Sequence, residues 1–467
     1  MKQDPDLLIV GAGPAGMSAA IRATQHGLST VVVDEHVEPG GQIWRAIERV
    51  AGTPRAAKLG SAYTEGAPAA ERFRACGAEF KPQTTLWHIE AGPCAFLKSE
   101  GRSFALNPGA VLLATGAQER PVPFEGWTLP GVMTVGAGQI MLKSAGQVPD
   151  RPVWIAGCGP LAYLFAVQLL DIGADIAGFL DTTPPERLFR QLPHLLNAAL
   201  SQPADIAKGA RWLARIKSNC TYIASVRTLR AKGNGKLSSI TYEAGNRESV
   251  TVPADILMVH EGIVPGIHPT MSLGCAHSWN ETQAYYAPSL DDWGETTEGN
   301  IFVAGDGAGI AGAKAACARG ELAAIGIARK LGKLSNRAAA TAARPVRKTL
   351  AKAMSTRPFL EGMYRPRPSI LSPDDRAMAC RCEEVTAGQI RELCRTGKAE
   401  PNRIKAFSRA GMGPCQGRLC NYTVAQIIAS ETSIAASEIG LYRVRPPFKP
   451  LSLDELSSLA GAEEASK

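Results

Sequence analysis

The sequence predicts an α/β fold made of two dinucleotide-binding domains followed by a small helical domain that carries cysteines. Three observations support this expectation. A strand, glycine turn, helix and strand open the chain at Leu7, and the same pattern returns at Val153. A third strand–turn–helix pattern, IFVAGDGAGIAGAKAACARGELAAIGIARKL, begins at Ile301. Near the C-terminus, Cys380 with Cys382 and Cys415 with Cys420 stand in two short, turn-like stretches.

The first unit runs from the apolar stretch Leu7 to Val10, through GAGPAG and a helical pattern to Ala23, to a second apolar run from Thr30 to Val33. Gly11, Gly13 and Gly16 have the G-x-G-x-x-G spacing, with Pro14 and Ala15 starting the helix. The first glycine permits the tight turn, the second lets a pyrophosphate approach the backbone, and the third lets helix and strand pack closely. Amides at the helix start then face the phosphate charge. Asp34 lies 18 residues past Gly16, near the spacing of a carboxylate that binds ribose hydroxyls, with Glu35 as its neighbouring substitute. This unit is expected to bind a dinucleotide.

The second unit repeats the Rossmann-like pattern with Gly157, Gly159, Pro160 and, in the third glycine position, Ala162. Asp181, 19 residues further, would repel a 2′-phosphate, so a nicotinamide here should be NAD rather than NADP. The site could equally hold another adenine nucleotide, ATP-like in kind, or serve packing alone. No C-x-x-C stands beside either turn, since Cys158 and Cys317 are isolated, which disfavours thiol–disulfide reductase chemistry. His260-Glu261 is not part of H-E-x-x-H because residue 264 is Val, and His260 reads as a packing or hydrogen-bonding residue at a strand end. No acid/base or nucleophile constellation is visible, so no catalytic residue is assigned.

At 467 residues the chain suits about three domains. The expected division is a discontinuous first domain over 1–150 and 265–334 and a second over 151–264. A basic linker over 335–375, a cysteine domain over 376–432 and a tail over 433–467 follow. The formal charge of +8 is concentrated in the linker, where eight basic residues face the single acid Glu361 between Ser335 and Ser369. So local an excess reads as a solvated or docking segment and excludes a nucleic-acid groove. No run approaches the roughly 18 apolar residues of a membrane span. Eleven cysteines without a secretory leader point to a reducing, cytoplasmic setting, with attachment to the inner-membrane surface as a variant.

The four clustered cysteines form C-x-C and C-x4-C with 32 residues between them. Four such thiolates can hold zinc or an iron–sulfur cluster, and C-x-C is tight for one metal but comfortable for two irons. Thr386 and Gln389 form a capping-box pattern before a helix whose face carries Ile390, Leu393 and Cys394, so Cys394 reads as a buried hydrophobe. Another helix should begin near Cys420 and run through Ile428.

Three stretches, PGGQ at 39–42, ATGAQERPVPFEG at 114–126 and VAGDGAGIAGA at 303–313, resemble flavin-binding motifs of the glutathione- and thioredoxin-reductase class. The resemblance implies FAD in the first site. Gly41, Gln42, Ala114, Thr115 and Gly116 would line it, Gly305 would allow close approach, and Asp306 would contact the ribityl chain. The cysteine stretch, with GMGPCQGRLC at 411–420, resembles the bacterioferritin-associated-ferredoxin-like domain, which implies a [2Fe–2S] cluster on Cys380, Cys382, Cys415 and Cys420. With RPVPFEGWTLPGVMTVGAGQ at 120–139 and HEGIVPG at 260–266, the whole chain resembles the large flavoprotein (α or A) subunit of opine oxidases, D-hydroxyproline dehydrogenases and the hydrogen cyanide synthase complex. That resemblance implies electron transfer from a D-amino-acid-oxidase-like β subunit. A small ferredoxin-like γ subunit, together with an interface FMN, would be further components. The alternative is a stand-alone NAD(P)H-dependent reductase that delivers electrons through the cluster to a protein acceptor.

Overall fold

The structure, a computed structural model, describes residues 4–464. Its first sheet is parallel throughout, in the order Ile301–Val303, Ala110–Leu113, Leu7–Val10, Thr30–Val33, Glu79–Lys81. Every residue of the three middle strands is buried, which is why they read as unbroken apolar runs rather than alternating ones. Helix Pro14–Gln25 packs along helix Ala313–Lys330, with Ala15 against Gly320 and Arg22 paired with Glu321. A Cβ at Gly320 would lie 2.1 Å from the Ala15 carbonyl oxygen, so only glycine permits this close a crossing.

The second sheet is also parallel, in the order Thr221–Ile223, Ile176–Asp181, Val153–Gly157, Ile256–His260, Val132–Thr134. Its last strand pairs Val132 with Leu257 and leads into helix Val135–Ala145. Hydrogen bonding thus assigns residues before 151 to the second sheet. At three residues, Val132–Thr134 is too short to register as an apolar run in the sequence. The two sheets are joined by an antiparallel pair, Ala117–Glu119 with Ile263–Pro265.

The stretch read as a linker is largely helical: Asn336–Met354, Arg357–Met363 and Pro368–Leu371. Ala339, Ala343 and Val346 bury themselves against Ala318, Leu322 and Ile325, while Arg347 stacks on Trp293 at 5.0 Å. The cysteine domain opens with the strands Met378–Cys380 and Val385–Thr386, then helix Ala387–Leu393 with the full Thr386–Gln389 capping box. Helices Pro401–Ser408 and Asn421–Thr432 complete it. The stretch read as a tail folds back: Tyr442 and Phe448 are buried, and helix Leu453–Glu464 lies along strand Arg102–Leu106. Among the described residues no helix is long and apolar enough to cross a membrane.

Candidate functional site

The first glycine turn is built to leave its outer face free. Gly11 adopts φ +106°, and a Cβ there would meet the Ala114 carbonyl oxygen at 2.5 Å. A Cβ on Gly16 would lie 1.8 Å from the Gly11 oxygen, so this glycine is what lets the helix sit on the turn. The PGGQ loop closes over it, with Gly40 N–H donating to the Ala12 carbonyl at 2.8 Å and Gly41, at φ +58°, facing Gly13. A Cβ on Gly41 would stand 2.9 Å from the Gly13 Cα, so the pair forms a narrow backbone cradle that side chains would fill.

The acids here divide their roles. Asp34 accepts from Ala12 N–H at 2.7 Å and from His36 N–H at 2.8 Å, one bond per carboxylate oxygen, and so stiffens the turn. Glu35 is exposed and pairs with Lys449 at 2.7 Å. Asp306 Oδ1 accepts from Ala311 and Gly312 N–H at 2.8 and 3.0 Å, just before helix Ala313–Lys330. Thr115 Oγ1 donates to the Gly266 carbonyl at 3.2 Å, and Gly266 N–H to the Gly116 carbonyl at 2.9 Å, which ties the ATGAQ turn to the inter-sheet strands.

Lys143 belongs to no motif in the sequence. Its side chain is buried, and Nζ donates to the Gln42 and Ile43 carbonyls and to Gln139 Oε1, each at 3.0 Å. Burial, and then the neighbouring Arg45 charge, push its pKa down to about 7. It fastens the PGGQ loop to helix Val135–Ala145 and therefore couples the two dinucleotide domains.

The second glycine turn repeats the spacing but not the backbone, since Gly159 lies at φ +97° where Gly13 lies at −75°, and its surface is filled. Gly157 lies at φ +148°, with the His260 carbonyl oxygen 1.9 Å from where a Cβ would stand. Asp181 is buried and fully engaged, Oδ2 accepting from Tyr163 and Tyr222 hydroxyls at 2.8 and 2.6 Å and Oδ1 from Thr183 N–H at 2.8 Å. Tyr364, from the helical stretch after residue 335, packs over Gly159 and meets Tyr163 edge-on at 6.0 Å. Arg367 anchors that stretch through a buried ion pair with Glu261 at 2.6 Å and a bond to the Arg227 carbonyl at 2.8 Å. Of the predicted residues here, Pro160 alone is exposed. His260 hydrogen-bonds Glu119 through Nδ1 at 2.6 Å, in keeping with a junction role.

The four clustered thiols come close enough to influence one another, Cys380 with Cys420 and with Cys382, and Cys415 with Cys382 and Cys420. The Cys420 thiol, followed by backbone N–H groups of Gly411, Glu383 and Cys382, lowers the Cys380 pKa to about 6, whereas Cys394 stays apart as a buried apolar residue. Among the described residues no three His, Cys, Asp or Glu side chains converge as ligands of a single ion. Four thiols gathered in this way have the chemistry to hold an iron–sulfur cluster or a zinc ion.

The loop between Cys415 and Cys420 touches the first domain. Gln118 Nε2 donates to the Arg418 carbonyl at 2.6 Å, and His268 bonds the Gln416 carbonyl at 3.2 Å through Nε2. Burial, then Arg418, hold the His268 pKa near 4, so the ring is neutral at pH 7 and Nε2 carries the donated hydrogen. Gln118 lies two residues beyond Gly116, so the thiol loop abuts the ATGAQ turn.

Residues 5–321 match the pyridine nucleotide-disulphide oxidoreductase family, and residues 374–461 match the sarcosine oxidase A3 domain. The chain is 39% identical to the opine oxidase A-subunit of Agrobacterium tumefaciens (strain Ach5) over 99% of its own length and 93% of that protein. It is 31% identical to the HcnB component of hydrogen cyanide synthase from Pseudomonas aeruginosa, over 97% of this chain and 98% of the other. Among solved structures, L-proline dehydrogenase from P. horikoshii superposes with a TM-score of 0.69 at 20% identity, covering 97% of this chain and 79% of that one. At that identity the likeness speaks for the fold.

Proposed function

This chain belongs to the pyridine nucleotide-disulphide oxidoreductase family and to that of the opine oxidase A-subunit, and from that premise we propose that it is the electron-relaying subunit of an amine-oxidising flavoenzyme complex. A separate catalytic subunit, D-amino-acid-oxidase-like in kind, oxidises an opine or a D-amino or imino acid. A small ferredoxin-like subunit, together with an interface FMN, completes the assembly. The supporting observation is the contact between the Cys415–Cys420 loop and the ATGAQ turn through Gln118 and Arg418. FAD and a [2Fe–2S] cluster, when bound, supply conversion between paired and single electrons.

The chain's own residues prepare that transfer. Gly13 and Gly41 let the dinucleotide backbone approach, Asp34 holds the turn rigid, and Asp306 orients the amides ahead of helix Ala313–Lys330. Cys380, Cys382, Cys415 and Cys420 would together hold the cluster. Gln118 and His268 fix the spacing between the two centres. In the second turn, Tyr364 covers Gly159 and Asp181 is buried beneath the Tyr163 and Tyr222 hydroxyls, which speaks against a stand-alone NAD(P)H reductase. The expected division into a discontinuous flavin domain, a second nucleotide-type domain and a cluster domain is part of this reading.

Co-expression with candidate partner subunits, followed by flavin, iron and acid-labile sulfide analysis, tests it. The reading expects FAD, two irons and two sulfides per chain, and amine-dependent reduction of both centres only with the partner present. Zinc in place of iron and sulfide would refute the cluster assignment.

A further inference from the structure

GMGPCQGRLC contains three glycines, and the structure gives a use to each. Gly413 makes room for Cys382, whose Cβ lies 2.4 Å from where a Gly413 Cβ would stand. Gly411 and Gly417, at φ +90° and +79°, do the same for the ring of Tyr442. Cβ atoms at these two positions would fall 2.6 and 2.8 Å from that ring, so the loop is shaped around it.

Tyr442 reaches this place from beyond the last helix of the cysteine domain. Its N–H donates to Asn421 Oδ1 at 2.8 Å, and the next residue, Arg443, donates its N–H to Asn402 Oδ1 at 2.9 Å, pinning the backbone on both sides. Only 2% of the side chain is exposed, and the hydroxyl is buried without a completed hydrogen bond. A buried hydroxyl left unsatisfied is costly, so a tyrosine here needs a compensating acceptor that phenylalanine would not. The acceptor within reach is the Cys420 sulfur. A thiol is a weak acceptor, whereas a metal-bound thiolate is a strong one. A thiolate that holds iron would therefore satisfy the hydroxyl where a free thiol does not.

We infer that Tyr442 donates its phenolic hydrogen to the Cys420 thiolate of the loaded cluster and raises the cluster's reduction potential. This rests on the cluster reading above. Hydrogen bonds to cluster sulfurs stabilise the more negative, reduced state, which sets the direction of the effect. Tyr442 is a positioning and tuning residue; it binds no iron itself.

The test is a redox titration of the purified holoprotein followed by electron paramagnetic resonance of the reduced cluster, with iron and sulfide measured on each sample. Tyr442→Phe keeps the ring that fills the loop and removes the donor. Its potential should shift downward and its g-values should change, with iron content retained. Replacement of Tyr442 by 3-fluorotyrosine strengthens the donor and should shift the potential upward. If Tyr442→Phe fails to hold iron, the fluorinated variant decides by the sign of its shift. Iron-loaded variants at the wild-type potential would overturn the role of the hydroxyl while leaving the cluster intact. Wild-type protein without iron or sulfide would instead overturn the cluster reading, and this inference with it.

Discussion

The two glycine turns share a spacing and a strand–turn–helix order, and part company in the conformation of the second glycine, φ −75° at Gly13 and +97° at Gly159, and in what surrounds them. Around Gly11 to Gly16 the acid at the strand end bonds backbone amides, and the PGGQ loop leaves a cradle between Gly13 and Gly41. Around Gly157 to Ala162 the corresponding acid is buried under two tyrosine hydroxyls, and Tyr364 lies over Gly159. A duplicated dinucleotide fold therefore does not imply duplicated ligand binding. What covers the second turn is a residue about 200 positions away in the chain, Tyr364, delivered by helices that the sequence presents as a basic linker.

The largest effect expected from this contrast lies at its third glycine position. Gly16→Ala places a methyl group 1.8 Å from the Gly11 oxygen and should abolish flavin retention, read as the flavin-to-protein absorbance ratio. The second turn already carries alanine there, so Ala162→Gly should cost only about 0.5–1 kcal/mol, the ordinary penalty for glycine in a helix. A tolerated Gly16→Ala would break the comparison outright.

Next in size is the anchor of the filled turn. Arg367→Met leaves Glu261 buried without its partner and should destabilise the chain by about 3–5 kcal/mol in denaturant melts. Tyr364→Ala should be milder and should expose the Gly159 face, so calorimetry with NADH or ADP compares the variant with a wild type expected to bind neither tightly. Strong NADH binding by the wild type would show that Tyr364 does not close the crevice.

A smaller effect concerns Lys143 beneath the open turn. Its folded-state pKa of about 7 lies below the ordinary lysine value, so the unfolded chain binds more protons between about pH 7 and 10. Stability should therefore rise with pH across that window, by at most about 1.4 kcal/mol per unit. Lys143→Met should flatten this slope in thermal midpoints recorded from pH 6 to 10.

Much of the contrast is legible from residue types, and its missing half is not. Gly11, Gly13, Gly16 and the buried strands beside them announce the first fold because local backbone geometry demands them. The Thr386–Gln389 capping box and the isolation of Cys394 are equally local. Tyr364, Lys143 and Tyr442 act through long-range packing, and no spacing rule places a lone tyrosine or lysine over a distant turn. The strand Val132–Thr134 is hidden for a different reason, being only three residues long after the Pro130-Gly131 turn. The residues after 433 look like a tail because their apolar anchors, Tyr442 and Phe448, are sparse.

The central claim is that electrons enter from a partner's amine oxidation and pass from flavin to cluster, with no entry from a nicotinamide. Anaerobic stopped-flow and freeze-quench paramagnetic resonance on the assembled complex test it directly. Amine substrate should bleach the flavin and then bring up the reduced-cluster signal, while NADH added to the chain alone should do neither. Rapid bleaching of the isolated chain by NADH, followed by the cluster signal, would contradict the account.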